Sequence, residues 1–97
     1  MTLTKYKIAD KIAKKFHPRI TRSDVLRITQ EFLNEIENAL LAGHRVEFRD
    51  FGVFKTKLRK PKLARNPKTN VPVPLPSRLV VVFKPGKNLK VKIAKKG

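Results

Sequence analysis

Two segments near the start of the chain repeat apolar residues at helical spacing. In the first, Ile8, Ile12 and Phe16 lie four residues apart, and Thr4 stands at the position of a helix cap. The segment ends at His17-Pro18, because the residue before a proline is kept out of the helical region. The pattern therefore predicts a first helix between Thr4 and this proline.

The second helical segment is longer and more apolar. Thr21-Arg22-Ser23-Asp24 has the form of a capping box, with the acid at the third helical position. We expect the helix to run to about Ala42 and to stop at Gly43, a typical C-terminal cap. Its apolar positions are Val25, Leu26, Ile28, Phe32, Leu33, Ile36, Ala39 and Leu40. One short neighbouring helix would not cover that surface, so the pattern predicts a partner subunit.

Alternation with a period of two follows the helices and is typical of strands. Residues 45–49 alternate strictly, and Asp50-Phe51-Gly52 then turns the chain. Two further alternating segments cover residues 53–58 and 79–83, and a short helical segment follows Pro85-Gly86. This order predicts an α+β fold with two N-terminal helices, a three-stranded antiparallel sheet and a short C-terminal helix.

A basic, proline-rich stretch from Leu58 to Arg78 separates the last two strands. Its five prolines, at positions 61, 67, 72, 74 and 76, exclude a helix. Asn66-Pro67-Lys68-Thr69 suits a type I turn, and Asn70 tolerates the left-handed conformation that usually follows. We therefore expect a long, protruding β-arm over residues 58–78 and a body formed by residues 1–57 and 79–97.

The chain is short for the core that it has to form. Its 97 residues make a single domain, and the body without the arm is too small for a comfortable core of its own. There is no cysteine, which excludes disulfides and thiolate metal sites. We interpret His17 and His44, which stand in polar loop contexts, as solvated residues rather than metal ligands. We expect no cofactor, and we expect a dimer to supply the missing core.

Charge is distributed very unevenly along the chain. Up to Asp50 there are ten Lys and Arg and seven acids, whereas residues 51–97 hold fourteen Lys and Arg and no acid. The formal net charge of +17 indicates a polyanionic partner. A membrane surface is the weaker candidate, since the basic half lacks an amphipathic helix with aromatic anchors. The N-terminus has no apolar signal segment and no apolar run is long enough to cross a bilayer, so we expect a cytoplasmic protein.

Three motifs in the second half of the chain occur in a distinctive order. They are Asp50-Phe51-Gly52-Val53-Phe54, Arg65-Asn66-Pro67-Lys68-Thr69 and Phe83-Lys84-Pro85-Gly86-Lys87-Asn88-Leu89-Lys90. Together they resemble the bacterial HU and integration host factor family of histone-like DNA-bending proteins, over the chain from about Leu3 to Ile93. The resemblance implies an intertwined dimer, with an identical or a related chain, whose two arms wrap into the minor groove of double-stranded DNA.

The resemblance also implies roles for individual residues. Pro67 at the arm tip would intercalate as a wedge between base pairs. The expected dimer core comprises Phe32, Ile36, Phe48, Phe51, Phe54 and Phe83. The expected DNA-binding residues are Lys5, Arg49, Lys55, Lys57, Arg59, Lys60, Lys62, Arg65, Asn66, Pro67, Lys68, Arg78, Lys84, Lys87 and Lys90. Such a protein would bend and compact DNA, mostly independently of sequence, as part of the nucleoid.

The chain departs from the family pattern at several positions. Ala64 and Asn70 stand where the family usually has glycine on either side of the tip motif, and Asp50 replaces another usual glycine. The return segment, residues 71–76, lacks three amide donors because of its prolines. We therefore expect weak strand pairing in the outer arm and mobility when the arm is free.

Residues 45–49 look more like integration host factor than like typical HU. In that relative, an acid next to an arginine helps to place the arginine against DNA. Glu47 and Arg49 would then give a modest sequence preference. The competing interpretation, to which we give slightly more weight, is a cross-strand ion pair on a solvated sheet.

Two other function classes are weaker candidates. A basic RNA-binding or ribosome-associated protein that reads single strands would present exposed aromatic residues for base stacking. The arm has no aromatic residue, and Tyr6 and the phenylalanines lie on or beside apolar stripes. An enzyme is not expected, because the chain has no catalytic triad, cysteine nucleophile, P-loop or metal-ligand spacing. Duplex DNA is therefore the preferred partner.

Overall fold

The computed structural model describes residues 1–96, which form three helices and five strands in the predicted order. The elements are α1 (Lys5–Phe16), α2 (Arg22–Leu41), β1 (Val46–Phe48), β2 (Gly52–Arg59), β3 (Lys62–Arg65), β4 (Pro72–Leu75), β5 (Arg78–Pro85) and α3 (Lys87–Lys96). Strands β1, β2 and β5 form an antiparallel sheet in the order β1-β2-β5, here called the inner sheet, and β3 and β4 form a separate two-stranded sheet, here called the outer ribbon. The predicted α+β fold is confirmed.

Both N-terminal helices begin at the predicted threonine caps. The Lys7 amide donates to Oγ1 of Thr4 over 3.4 Å at the start of α1. At the start of α2 the Asp24 amide donates to Oγ1 of Thr21 over 3.2 Å. Each hydroxyl thus satisfies one of the backbone donors that a helix start leaves free.

The end of α2 has the geometry that the glycine predicted. Gly43 adopts a positive φ of 85°, a conformation that costs glycine little. Its amide donates to the Leu40 carbonyl over 3.0 Å, and the His44 amide donates to the Ala39 carbonyl over 2.9 Å. These two bonds form a Schellman motif and satisfy carbonyls that the last helical turn leaves free.

The chain divides into two compact units, Met1–Asn38 and the part from Ala39 onward. The first unit has a very small core: the buried hydrophobic side chains of the described chain are Ala9, Ala13 and Val25 alone. Ile12, Ile20 and Leu26 pack around them half-buried, and an ion pair joins Arg22 to Asp10. Three small side chains cannot supply the stability of a domain, so the unit depends on burial outside a single chain.

In the second unit, alternation along β2 and β5 separates two chemically different faces. The register runs without a bulge from Gly52 opposite Pro85 to Arg59 opposite Arg78. One face carries the apolar pairs, including Phe54 opposite Phe83 and Leu58 opposite Leu79. Because successive side chains of a strand point to opposite faces, the charged residues between them lie on the other face.

Four phenylalanine rings form a cluster at the base of the apolar face. The centroids of Phe54 and Phe83 lie 4.8 Å apart, those of Phe51 and Phe83 lie 5.5 Å apart, and those of Phe48 and Phe54 lie 6.2 Å apart. Tilted and edge-on contacts at these distances are favourable beyond the area that the rings bury. The cluster joins β1, the turn before β2, β2 itself and β5.

Gly52 is the position where the Phe83 ring approaches the backbone. A Cβ atom on this residue would lie 2.6 Å from two atoms of the ring and 2.7 Å from the Lys84 carbonyl oxygen. Contacts that short force either the ring or the strand to move. Gly52 is therefore required by packing, although its position in β2 would accept another residue on backbone grounds.

Hydrogen-bonded and non-hydrogen-bonded residue pairs alternate along an antiparallel pair of strands. The inner sheet and the outer ribbon have this alternation in opposite phase. Gly52 faces Pro85, which has no N–H. In the residues that flank this pair, the Gly86 amide donates to the Phe51 carbonyl over 2.8 Å. This pair is therefore non-hydrogen-bonded, and alternation makes the Arg59–Arg78 pair a hydrogen-bonded one. If the same phase continued, amide donors would be needed at positions 76, 74 and 72, and all three are prolines.

The phase changes at a gap of two residues in each strand, Lys60-Pro61 and Pro76-Ser77. Beyond the gap, Leu63 faces Pro74 and Arg65 faces Pro72 in non-hydrogen-bonded pairs, in which the missing N–H would point outward. β3 and β4 do pair, over four residues each, in spite of Pro72 and Pro74. The interruption of the arm lies at the gap, where Pro61 and Pro76 stand, and the strength of the pairing stays a prediction. Mobility of the free arm stays a prediction.

A substitution at Gly52 tests the close approach of Phe83. Gly52→Ala is expected to lower the free energy of unfolding by about 1–3 kcal/mol, the usual cost of overpacking. Denaturant unfolding at one fixed protein concentration measures the change. In a Phe83→Leu background, which removes the two nearest ring atoms, the same substitution should cost less. An equal cost in both backgrounds would contradict this account.

A single chain leaves large apolar side chains in solvent in both units. In the inner sheet Leu58, Leu79 and Val81 are 62%, 70% and 62% exposed, and Ile28 of α2 is 62% exposed. Exposed apolar patches of this kind mark interfaces. We expect a second subunit to cover them, because one chain has too little buried surface to remain folded alone.

The unfolding transition should therefore depend on protein concentration, since dissociation accompanies unfolding. The midpoint of thermal unfolding is expected to rise as the concentration is raised. Sedimentation at micromolar concentration should show a dimer. A folded monomer under those conditions would contradict the prediction.

Candidate nucleic-acid interface

One face of the inner sheet is cationic. It carries Lys55, Lys57, Arg59, Arg78 and Lys84, which the register of β2 and β5 places on the face opposite the phenylalanine cluster. Arg59 lies directly opposite Arg78, and like charges in that arrangement destabilise a sheet. An anionic partner that lies across this face would relieve the repulsion. We call these five residues the cationic face.

Glu47 on β1 is an acid beside the cationic face. It faces Val53, which in turn faces Lys84, so alternation places Glu47 on the same side of the sheet. Its carboxylate lies 3.6 Å from the guanidinium of Arg45, two residues earlier on the chain, and both side chains are exposed. Glu47 thus forms an ion pair along its own strand rather than across strands. Arg49 follows β1 and is exposed.

The cations of the arm lie on its ascending strand and at its tip. Lys60, Lys62, Arg65 and Lys68 are all exposed. The descending segment, residues 71–77, contains no cation, and its side chains are apolar apart from that of Ser77. The two strands of the arm therefore differ in charge as well as in their prolines.

The arm tip is closed by a set of local hydrogen bonds. The Asn70 amide donates to the Asn66 carbonyl over 2.7 Å, and the Asn66 amide donates to the Val71 carbonyl over 3.0 Å. Asn66 Oδ1 accepts from the Lys68 amide over 2.9 Å. Asn70 has a φ of 57°, as expected of the residue that closes the turn. The loop is one residue longer than the predicted type I turn, because the closing bond comes from Asn70 rather than Thr69.

Pro67 stands at the second position of this loop and is exposed. Its ring is apolar and rigid, and the backbone bonds around it fix its direction. Cations stand close to it on both sides, Arg65 before and Lys68 after. The side chain of Asn66 is engaged within the loop by its bond to the Lys68 amide, so it serves the turn.

The start of α3 is tied to the turn between β1 and β2. Nδ2 of Asn88 donates to Oδ1 of Asp50 over 2.9 Å, and Asp50 itself has a positive φ of 66°. Aspartate tolerates this left-handed conformation better than most residues, which explains how it replaces a glycine here. Lys84, Lys87 and Lys90 are exposed around this helix start, where free backbone amides also favour anions.

Lys5 lies in the other unit, at the start of α1. Its ammonium group donates to Oε1 of Gln30 on α2 and lies 5.3 Å from the Tyr6 ring centroid. The side chain is half-buried, unlike the cations of the arm. Its role in DNA binding stays a prediction.

The predicted dimer-core residues fall into two groups. Phe48, Phe51, Phe54 and Phe83 form the ring cluster described above, and Phe32 and Ile36 lie on α2 in its apolar stripe. None of the six is buried within a single chain. That exposure is consistent with a place in a subunit interface, although their role in one stays a prediction.

Among residues 1–96, no group of three or more His, Asp and Glu stands together in a way that could hold a metal ion. No helix of the described chain is long and apolar enough to cross a membrane.

The family model described as bacterial DNA-binding protein matches residues 3–94 of this chain. The chain belongs to this family. A probable DNA-binding protein HU from Chlamydia trachomatis is 45% identical over 92% of this chain and 88% of its own length. An integration host factor subunit alpha from Pasteurella multocida is 38% identical over 98% of this chain and 95% of its own length.

Solved structures of the family have the same fold. An HU–DNA cocrystal structure from Anabaena matches with a TM-score of 0.84 and 29% identity, over 95% of this chain and 98% of that one. An HU variant from Thermotoga maritima matches with a TM-score of 0.67 and 31% identity, over 94% and 99% of the two chains. The resemblance inferred from the three motifs is confirmed.

Two structural features of the candidate interface were missed from the sequence. The prolines at 72, 74 and 76 recur every second residue, and that spacing indicates a strand whose prolines all point to one edge. The bond from Asn88 to Asp50 joins residues 38 positions apart. No local pattern announces such a contact, although both residues lie within the family motifs.

Proposed function

We propose that this chain is an architectural protein that binds double-stranded DNA as a dimer and bends it with its two arms. The observation that carries the proposal is the cationic face of the inner sheet, which continues into a basic arm with an exposed proline at its apex. The partner is an identical chain or a related one. The protein would act in the cytoplasm as part of the nucleoid, mostly independently of DNA sequence.

Phosphate contacts supply the affinity in this proposal. The cationic face and the cations of the arm neutralise phosphates along the duplex and release its counterions, a term that is independent of sequence. Residues 51–97 contain no acid, so nothing in this half of the chain competes with DNA for these cations. The Arg45–Glu47 pair leaves Arg49 as the free cation of this region for any modest sequence preference.

Pro67 supplies the bend. Apolar side chains that enter the minor groove partially unstack one base step, at a cost of a few kcal/mol. Bending the bound duplex costs on the order of 1–6 kcal/mol more. Extra phosphate contacts along the bent flanks offset both costs.

Duplex DNA fits these features better than single-stranded RNA. A single-strand reader stacks bases on exposed aromatic rings. The arm has no aromatic residue, and four of the six phenylalanines contact one another at the base of the sheet. Competition between duplex DNA and structured RNA for the protein measures the preference directly.

Affinity for duplex DNA should fall steeply with salt. If about 6–10 phosphates are neutralised, affinity should drop roughly 10³–10⁵-fold between about 50 and 200 mM salt. Lys84→Ala should weaken binding to all duplexes about equally and reduce the slope of the salt dependence. Lys14→Ala removes the same charge at a residue outside the predicted DNA-binding set and should change the slope less. A flat salt dependence of the wild type would refute the electrostatic account.

Pro67→Ala separates bending from binding. The substitution should reduce the bend of an intact duplex, because the smaller side chain cannot hold a base step open. It should reduce affinity much less for nicked or mismatched DNA, in which part of the unstacking cost of a few kcal/mol is already met. Energy transfer across a doubly labelled duplex measures the bend, and titrations of intact and nicked duplexes measure the affinities.

The alternative is that Pro67 only shapes the turn. In that case Pro67→Ala would leave the bend unchanged while both affinities fall together. Asn66→Ala is the matched control, since it removes the side-chain acceptor of the Lys68 amide and loosens the loop while it keeps the proline. A loss of bending with Pro67→Ala that exceeds the loss with Asn66→Ala supports the wedge.

A further inference from the structure

The two edges of the outer ribbon differ in their backbone chemistry. In a non-hydrogen-bonded pair, the N–H and C=O groups of both residues point away from the opposite strand. The Asn66 amide donates to the Val71 carbonyl over 3.0 Å, so by alternation the next pair, Arg65 with Pro72, and then Leu63 with Pro74 are such pairs. The outward groups of these four residues therefore form the two edges of the ribbon.

The β4 edge offers no amide donor at these pairs. Pro72 and Pro74 present only carbonyl oxygens and pyrrolidine rings, and residues 71–77 carry no cation. A carbonyl edge of this kind repels phosphate oxygens, which are themselves acceptors. It suits contact with apolar surface instead.

The β3 edge has the opposite character. The amides of Leu63 and Arg65 point outward there beside their carbonyls, and the same strand carries the exposed cations Lys62 and Arg65, one on each face of the ribbon. Lys60 stands just before the strand, at the gap. Amide donors next to cations are the groups that bind phosphate oxygens in proteins.

We propose that the arm has a fixed orientation in the groove, with its β3 edge against a phosphate backbone and the outward amides of Leu63 and Arg65 as phosphate-binding donors. The proline-lined β4 edge then faces the apolar sugar surface. This inference rests on the proposed DNA binding and adds two backbone groups to it. The donors belong to one strand only, so the two edges of the arm are not interchangeable.

The pair of Leu63 with Pro74 allows the edges to be exchanged. Leu63→Pro removes the outward donor of β3 without removing a ladder bond, as the prolines of β4 already do on their side. Pro74→Leu adds an outward donor to β4. The double variant moves the donor from one edge to the other with the composition unchanged. Leu63→Ala controls for the loss of the leucine side chain.

Titration of an intact duplex at fixed salt measures the effect. Leu63→Pro and the double variant should bind about tenfold more weakly than Leu63→Ala, a change of about 1.4 kcal/mol that is in the range of a hydrogen bond to a charged group. Pro74→Leu should bind like the wild type. Because an amide is neutral, the slope of the salt dependence should be the same for all variants.

The ladder itself is monitored by hydrogen exchange at the amides of Ala64 and Val73, the hydrogen-bonded pair next to the exchanged position. If Leu63→Pro loses that protection, an ester in place of the residue 63 amide, introduced by chemical synthesis, removes the donor without the ring and carries the same test. Binding within about twofold of Leu63→Ala by the folded variant would overturn the proposal. That result would leave the proposed function intact, provided that the wild type keeps its steep salt dependence.

Discussion

The antiparallel pairing of β2 with β5 is the constraint on which the other features depend. Its register holds from Gly52 opposite Pro85 to Arg59 opposite Arg78 without a bulge, so alternation is never interrupted. If β5 slipped by one residue against β2, Arg78 and Lys84 would turn toward the face of the phenylalanine cluster, and Leu79, Val81 and Phe83 would turn away from it. The close approach of the Phe83 ring to Gly52 opposes such a slip, because other residues of β2 would bring a side chain under that ring.

Beyond this sheet, the positions of the prolines determine the hydrogen-bond pattern of the arm and the groups on its edges. Prolines at every second position of the return strand cannot continue the ladder in its inner phase, so the phase changes at Lys60-Pro61 and Pro76-Ser77. In the new phase Pro72 and Pro74 lie at outward positions, and neither removes a ladder bond. The same residues keep a second arm from adding to the β4 edge, since strand addition needs donors there. An exposed ribbon with a bare edge would otherwise be prone to association.

Features that are local in sequence were predictable. Thr4, Thr21 and Gly43 act as caps through bonds within a few residues, and Asn70 has the positive φ that a turn residue of its type tolerates. The three motifs sufficed to identify the family. Features that depend on which strand edge a residue faces were not predicted, because the phase of a ladder is set by pairing along its whole length. The three missing donors of residues 71–76 led to the expectation of weak pairing, whereas Pro72 and Pro74 lie at ladder positions that need no donor and Pro76 lies in the gap.

The positive charge of the chain opposes dimer assembly and favours DNA binding. The formal charge of +17 on this chain opposes assembly with an equally basic partner, and the apolar side chains exposed on α2 and on the inner sheet must offset that repulsion when they are covered. Added salt screens the repulsion and so favours the assembled protein, whereas it weakens every phosphate contact to DNA. DNA relieves the same repulsion by direct neutralisation. Bound duplex therefore stabilises the dimer most at low salt, where the free dimer is least stable.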